Sequence, residues 1–284
     1  VENSENIRFL LRWLFARDLP RYAVVTGSRS SLTKSPRETQ IIQWNDELSQ
    51  ASIGLPAQLL ALGIEHVYVE VDESDAASVA QFHEWENVTP GLVSQFQGFR
   101  RFFRRGDDVL VVGSIPLPRR VILGFTIAEN PPFSFVGDDV DRTIRALELL
   151  RSQGRIGALS GLENKLGGAR LGVTACTACG VCVRACPHDA LEMVDREKSS
   201  VLLHHVDLCR NENRCVSLCP EQGIWVQGEV TLSDLLEDKT KKLFTVTTAR
   251  CEKCGARHPE NEGSLCKVCQ FKELSPFGSI TISR

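Results

Sequence analysis

Apolar residues recur first at helical spacing and then at alternate positions, and the two periods take turns through the first half of the chain. Ile7, Leu10, Leu11 and Leu14 line one face of a predicted helix over 5–17. Phe9, Trp13 and Phe15 widen that stripe, Arg8, Arg12 and Arg17 are left for solvent, and Pro20 ends the helix. Tyr22–Thr26 reads as a short strand, Leu55–Leu62 as a helix closed by Gly63, and Glu65–Val71 as an alternating strand with His66 and Tyr68 on one side. Helices are predicted over 74–86, 90–105 and 139–152, the last with Val140, Ile144, Leu147 and Leu150 inward. Strands are predicted over 109–115 and 120–127, and the first is so apolar that it is expected at the centre of a sheet. Strands alternating with helices predict an α/β domain over residues 1–155 with a mixed or largely parallel sheet.

Chemistry in this half is sparse. Ser35-Pro36-Arg37-Glu38 has the layout of a helix start: an N-cap serine, proline at the first helical position and glutamate placed for a capping box. Preceded by a strand and the polar loop 27–34, such a start can bind phosphate. The letters depart from the phosphate-binding loop motif, because Thr33 stands at its second glycine and Gly27 is one place off. An ordinary capped turn is expected. Arg100, Arg101, Arg104 and Arg105 read as a solvated helix face, and His66 as structural. No dinucleotide fingerprint, serine elbow or metal constellation occurs before residue 156.

Composition narrows the classes. The 284 residues are 42% hydrophobic and 24% charged, ordinary for two or three folded domains. Net charge is −3; residues 1–155 carry 17 basic and 20 acidic side chains and the remainder 16 of each, which argues against a nucleic-acid partner. No apolar run reaches bilayer-spanning length and Val1–Leu19 lacks a signal-peptide layout, so a cytoplasmic protein without a transmembrane segment is expected. The 11 cysteines then read as metal ligands, since cytosolic thiols stay reduced. All lie from residue 176 onward. The glycine-rich stretch 156–172 is taken as a linker, followed by domains over 173–230 and 231–284.

The first run is Cys176-x2-Cys179-x2-Cys182-x3-Cys186-Pro187. A second, imperfect copy follows, with Cys209, Cys215 and Cys219-Pro220 matching Cys176, Cys182 and Cys186-Pro187, and Glu212 in the place of Cys179. These residues closely resemble the two-cluster bacterial ferredoxin family. The resemblance implies an α+β ferredoxin-like domain with crossed ligation: Cys176, Cys179, Cys182 and Cys219 on a 4Fe–4S cluster, and Cys186, Cys209 and Cys215 on a second, with Glu212 at the fourth corner. Three cysteines hold either a 3Fe–4S cluster or a 4Fe–4S cluster whose last iron takes carboxylate or water, and a carboxylate holds such iron less firmly than a thiolate. The bland alternative is a degenerate second run with no cluster. Strands over 190–193 and 200–205 are expected to pair, with Val181, Ala185, Leu191, Val201, Leu218 and Ile224 packed around the clusters; His188 reads as an exposed turn residue. A helical turn over 232–236 and a β run over 242–248 complete the pattern.

Cys251-x2-Cys254 and Cys266-x2-Cys269, eleven residues apart, supply four thiolates to a tetrahedral ion and resemble a small C-terminal zinc ribbon. A rubredoxin-like iron centre uses the same ligands, but Cys266-Lys-Val-Cys269 lacks its proline and glycine and the spacer is short. The sequence as a whole reads as an electron-transfer subunit or adaptor, relaying single electrons between redox partner proteins in a hetero-oligomeric oxidoreductase. The alternatives are a reductase with a flavin or nucleotide site in residues 1–155, fed by the clusters, and a cluster-dependent assembly or regulatory protein.

Overall fold

A computed structural model describes residues 2–99, 105–115, 130–157 and 165–274, which fall into two units divided between Asn164 and Lys165. In the first unit the opening stripe becomes helix α1, Glu2–Phe15. Ile7, Leu10, Leu11 and Leu14 are fully buried, each contributing about 1.5–3 kcal/mol. Phe9 stays exposed, and Trp13 is buried beneath Arg17, whose guanidinium sits 4.0 Å from the ring centroid.

Strands β1 (Tyr22–Thr26), β2 (Lys34–Pro36), β3 (Thr39–Gln43), β4 (His66–Val69), β5 (Val93–Gln95), β6 (Arg105–Asp108) and β7 (Leu110–Val111) follow in chain order. Five of them form a parallel sheet of order β5-β4-β1-β3-β7, while β2 and β6 pair antiparallel in a separate ladder. Parallel neighbours need crossovers, supplied by helix α2 (Leu55–Leu62) between β3 and β4 and by helix α3 (Ala76–Val88) between β4 and β5. Every residue of α2 is buried, because it also packs against α1 and against helix α4 (Asp139–Ser152). Arg142, wholly buried on α4, donates to Gln58 Oε1 (3.1 Å), the Gly137 carbonyl (2.8 Å) and the Ser4 carbonyl (2.7 Å), which ties three helices together. A buried guanidinium needs that many acceptors.

Several expectations are corrected. Residues 35–38 do not begin a helix: Ser35 and Pro36 belong to β2, and Glu38 turns the chain at φ 66° into β3. The β-branched run Thr39-Gln-Ile-Ile-Gln43 pairs in register with β1, and those long-range bonds outweigh the local capping letters. The predicted helix over 90–105 is instead β5 and, after residues outside the description, β6; left-handed Gly91 (φ 73°) and Gly98 (φ 94°) break a helix on either side of β5. The 109–115 run contributes only β7, at one end of the described sheet, with Leu110 and Val112 nonetheless buried. Apolarity reported burial, not rank in the sheet. The 120–127 strand and Arg100, Arg101 and Arg104 lie outside the described residues.

In the second unit Lys165–Val173, of which residues 165–172 read as linker on their glycine content, is strand β8. It pairs antiparallel with β11 (Ile224–Thr231). Between them lie helix α5 (Val181–Ala185), strands β9 (Leu191–Asp195) and β10 (Ser199–His205), and helix α6 (Arg214–Ser217). Helix α7 (Leu232–Glu237), started by a capping box between Thr231 and Asp234, leads into β12 (Thr240–Arg250), β13 (Arg257–Pro259) and helix α8 (Lys267–Leu274). The order β13-β12-β10-β9 makes a four-stranded antiparallel sheet. Ala169, Leu171, Cys182, Leu191, Leu202 and Ile224 form the core, with Met193, Cys215, Cys219 and Phe244 against it. Leu202 rather than Val201 enters this core, and Leu218 is 54% exposed. The α/β and α+β classes therefore hold for the two units.

Candidate metal centres

The two cysteine runs fold as a backbone repeat. Ala178 (φ 54°), Gly180 (φ 68°) and Asp189 (φ 52°) are left-handed, and so are Asn211 (φ 58°), Asn213 (φ 58°) and Gln222 (φ 49°), each pair 33 residues apart. Gly180 and Asn213 start α5 and α6 respectively. Left-handed backbone at non-glycine residues costs about 1 kcal/mol or more apiece and persists only where the surroundings demand it. Here the turns bring amides to sulfur: the Ala190 N–H donates to Cys186 Sγ at 3.3 Å, and backbone N–H groups of Ala178, Val183 and Val216 meet the thiols of Cys176, Cys182 and Cys215. Glu212 occupies the backbone place of Cys179.

The repeat brings thiols of the two runs close to one another, with Cys182 also within electrostatic reach of Cys215. Cys176, Cys179, Cys182 and Cys219 line one recess, walled by Met193 and Ile224. Cys215 lies within electrostatic reach of Cys209 and Cys186. Burial, more than thiolate repulsion, pushes the Cys176 and Cys215 thiols up and takes Cys182 to about 12. Such sulfurs become thiolates only when a cation supplies the missing charge, so metal loading releases protons.

Two glycines admit these cysteines, and the spacing argument overlooked both. A Cβ on Gly168 of β8 would lie 2.5 Å from Cys209 Cβ, 2.6 Å from its Sγ and 2.7 Å from its carbonyl oxygen. One on Gly223 would lie 2.1 Å from the Ala175 carbonyl, next to Cys176. Gly168 lies inside β8 and Gly223 just before β11, so the only sequence signal is a glycine at or beside a strand. His188, read as an exposed turn residue, has a partner: its Nε2 is 2.8 Å from Glu212 Oε1, and Glu212 Oε2 is 3.2 Å from Arg214 Nε.

The C-terminal site is tighter. The Sγ atoms of Cys251, Cys254, Cys266 and Cys269 all lie within 4.8 Å of one another, and those of Cys254 and Cys266 are 3.7 Å apart. Four thiolates at about 2.3 Å from a tetrahedral ion stand about 3.8 Å apart. Cys251 and Cys254 occupy the turn between β12 and β13, closed by Cys251 N–H to the Ala256 carbonyl (2.9 Å) and Gly255 N–H to the Cys251 carbonyl (2.8 Å). Backbone N–H donors, that of Cys266 foremost, hold Cys251 down to about 6, a ready thiolate. Across the module, Lys267 Nζ is 2.7 Å from Glu221, a residue of the recess around Cys176.

Residues 175–224 match the 4Fe-4S dicluster domain. This segment is thus a ferredoxin-type iron–sulfur domain, and a 4Fe–4S cluster fits its thiols. It is similar to a ferredoxin of Pyrobaculum islandicum, 38% identical over 56 residues that cover 20% of this chain and 50% of the relative. It is also similar to an uncharacterized ferredoxin of Methanocaldococcus jannaschii (32% over 75 residues, 25% of this chain and 46% of the relative). The polyferredoxin protein MvhB of Methanothermus fervidus is 29% identical over 80 residues, 28% of this chain and 17% of the relative. The chain thus spans half or less of the length of these relatives. Among the described residues, no helix is long and apolar enough to cross a membrane.

Proposed function

We infer that the chain is an iron–sulfur electron-transfer protein that passes single electrons between redox partner proteins, as a subunit or adaptor of a hetero-oligomeric oxidoreductase. The observation that carries the reading is the 33-residue backbone repeat, which supports two cluster cradles rather than one. Cys176, Cys179, Cys182 and Cys219 would hold a 4Fe–4S cluster; Cys186, Cys209 and Cys215 would hold a second cluster, 4Fe–4S or 3Fe–4S, completed by Glu212 where a fourth iron is present. Bound clusters supply reversible one-electron chemistry, and the apolar walls and amide-to-sulfur bonds set its potential. His188 and Arg214 compete with iron for the Glu212 carboxylate, which favours a labile fourth corner. Cys251, Cys254, Cys266 and Cys269 would hold a structural Zn²⁺, bracing the tail whose α8 reaches Glu221 through Lys267.

Anaerobic iron, sulfide and zinc analysis with EPR before and after dithionite tests this. The expected result is one zinc and about seven or eight irons, with a 3Fe signal as isolated or two interacting reduced clusters. Glu212→Cys should turn the second cluster into a stable 4Fe form with an altered spectrum. Iron for a single cluster in anaerobic material would remove the two-cluster relay, and an unaltered spectrum in Glu212→Cys would defeat the placing of Glu212 at the second cluster.

A further inference from the structure

The parallel sheet has a crevice that the iron–sulfur chemistry does not use. From β1 the chain moves to β3 on one side, and from β4 it moves to β5 on the other, although β1 and β4 are neighbours. Adjacent parallel strands whose connections diverge leave an opening outside their carboxyl ends, where open α/β sheets take small ligands. A cleft of about 250 Å³ lies there, lined by the loop after β1 (residues 27–31), the loop after β4 (residues 70–72), Glu47, Leu48, Asp75 and Ser78. That size lies at the small end of ligand sites, so only a compact organic molecule fits.

The polar groups of the cleft define what it can take. Four carboxylates face one guanidinium, and most are already engaged. Glu47 is paired with Arg29 at 3.1 Å, Asp72 accepts the Ser74 N–H and O–H, and Asp75 caps α3 by accepting the Ala77 and Ser78 amides. The helix amides that would otherwise greet a phosphate are therefore consumed, and the charge around them is acidic. Two groups are left. Among the described residues, the half-buried Glu70 carboxylate, one residue past β4, has no partner, and the hydroxyl of buried Ser78 (3% exposed) has no hydrogen bond. An unsatisfied buried hydroxyl is costly and calls for an explanation.

We propose that this crevice binds a nucleoside-type ligand without phosphate, with Glu70 accepting from its ribose diol and Ser78 supplying a second polar partner. A carboxylate at a strand end accepts both hydroxyls of a vicinal diol, whereas phosphate would meet carboxylates and occupied amides. The inference stands apart from the cluster reading and fails or holds without it.

Calorimetric titration of the full chain with adenosine, 2′-deoxyadenosine and ATP tests it. Adenosine should bind saturably, with 2′-deoxyadenosine and ATP each at least about tenfold weaker. Glu70→Gln should weaken adenosine by a similar factor. Ser78→Ala should weaken it too while leaving the melting temperature unchanged or higher, because the removed hydroxyl has no partner in the protein. Iron content should stay at the wild-type value in both variants. Absence of adenosine binding in the millimolar range, equal binding of 2′-deoxyadenosine, or ATP binding as tightly as adenosine would overturn the proposal. So would full adenosine affinity in Glu70→Gln, or a Glu70-dependent thermal shift with MgCl₂ in place of adenosine, which would mark a cation site.

Discussion

Gly168→Ala is the sharpest probe of how the strands would hold the proposed second cluster. The new methyl would sit 2.5–2.7 Å from three atoms of Cys209: its Cβ, its Sγ and its carbonyl oxygen. Ordinary contacts begin about 1 Å farther out, and a carbonyl and a Cβ cannot rotate aside as a side-chain tip can. Either β8 lifts away from the cysteine loop or Cys209 retreats by about 1 Å, at about 1–3 kcal/mol. A ligand sulfur displaced that far is well outside the tolerance of a metal bond. The variant should therefore fold, keep the first cluster and lose the second, dropping from about eight irons to about four. Iron and sulfide per chain, with EPR after dithionite, reads this directly, and the spin–spin interaction between clusters should vanish. Gly228→Ala on β11, where an added Cβ meets nothing within 4 Å, is the control and should keep all its iron. Full iron and an intact interaction spectrum in Gly168→Ala, at wild-type melting temperature, would refute the assignment of Cys209 to a cradle closed by β8.

Gly223→Ala, clashing with the Ala175 carbonyl beside Cys176, should do the reverse and preferentially deplete the first cluster, seen as loss of its EPR signal with the second retained. If zinc occupies the four-cysteine site, its removal by a chelator should raise hydrogen exchange over residues 251–274 while iron content holds, and acid should weaken zinc retention because protons compete for the thiolates; unchanged exchange after proven zinc loss would contradict a structural role. His204 is 1% exposed, and burial pushes its imidazole down to about 4 from 6.5. Between those values the unfolded chain binds a proton that the folded chain refuses, so stability falls as pH drops through this window, by up to about 3 kcal/mol. Denaturation at pH 7 and pH 4 should show His204→Leu gaining on the wild type by about that amount, and parallel pH profiles for the two proteins would sink the argument.

What could be read along the chain was what is local. The bounds of β1, α2 and α4 follow from periodicity, caps and the closing Gly63, because each element carries its own apolar face and its own stop signals. The thiol spacing within each run was legible for the same reason: three residues of backbone decide whether neighbouring sulfurs can share an ion. Pairing between distant segments was not. Residues 35–38 carried good helix-start letters and became the end of one strand and a turn into the next, and the glycine-rich 165–173 became a strand flush against Cys209, because hydrogen-bonded partners far along the chain were worth more than local propensity. The ferredoxin resemblance put Cys219 with the first run; tertiary structure alone bound Glu212 to His188 and Arg214 and opened the crevice at Glu70 and Ser78. Periodicity tells a residue which way to face; only the packed fold decides what it meets there.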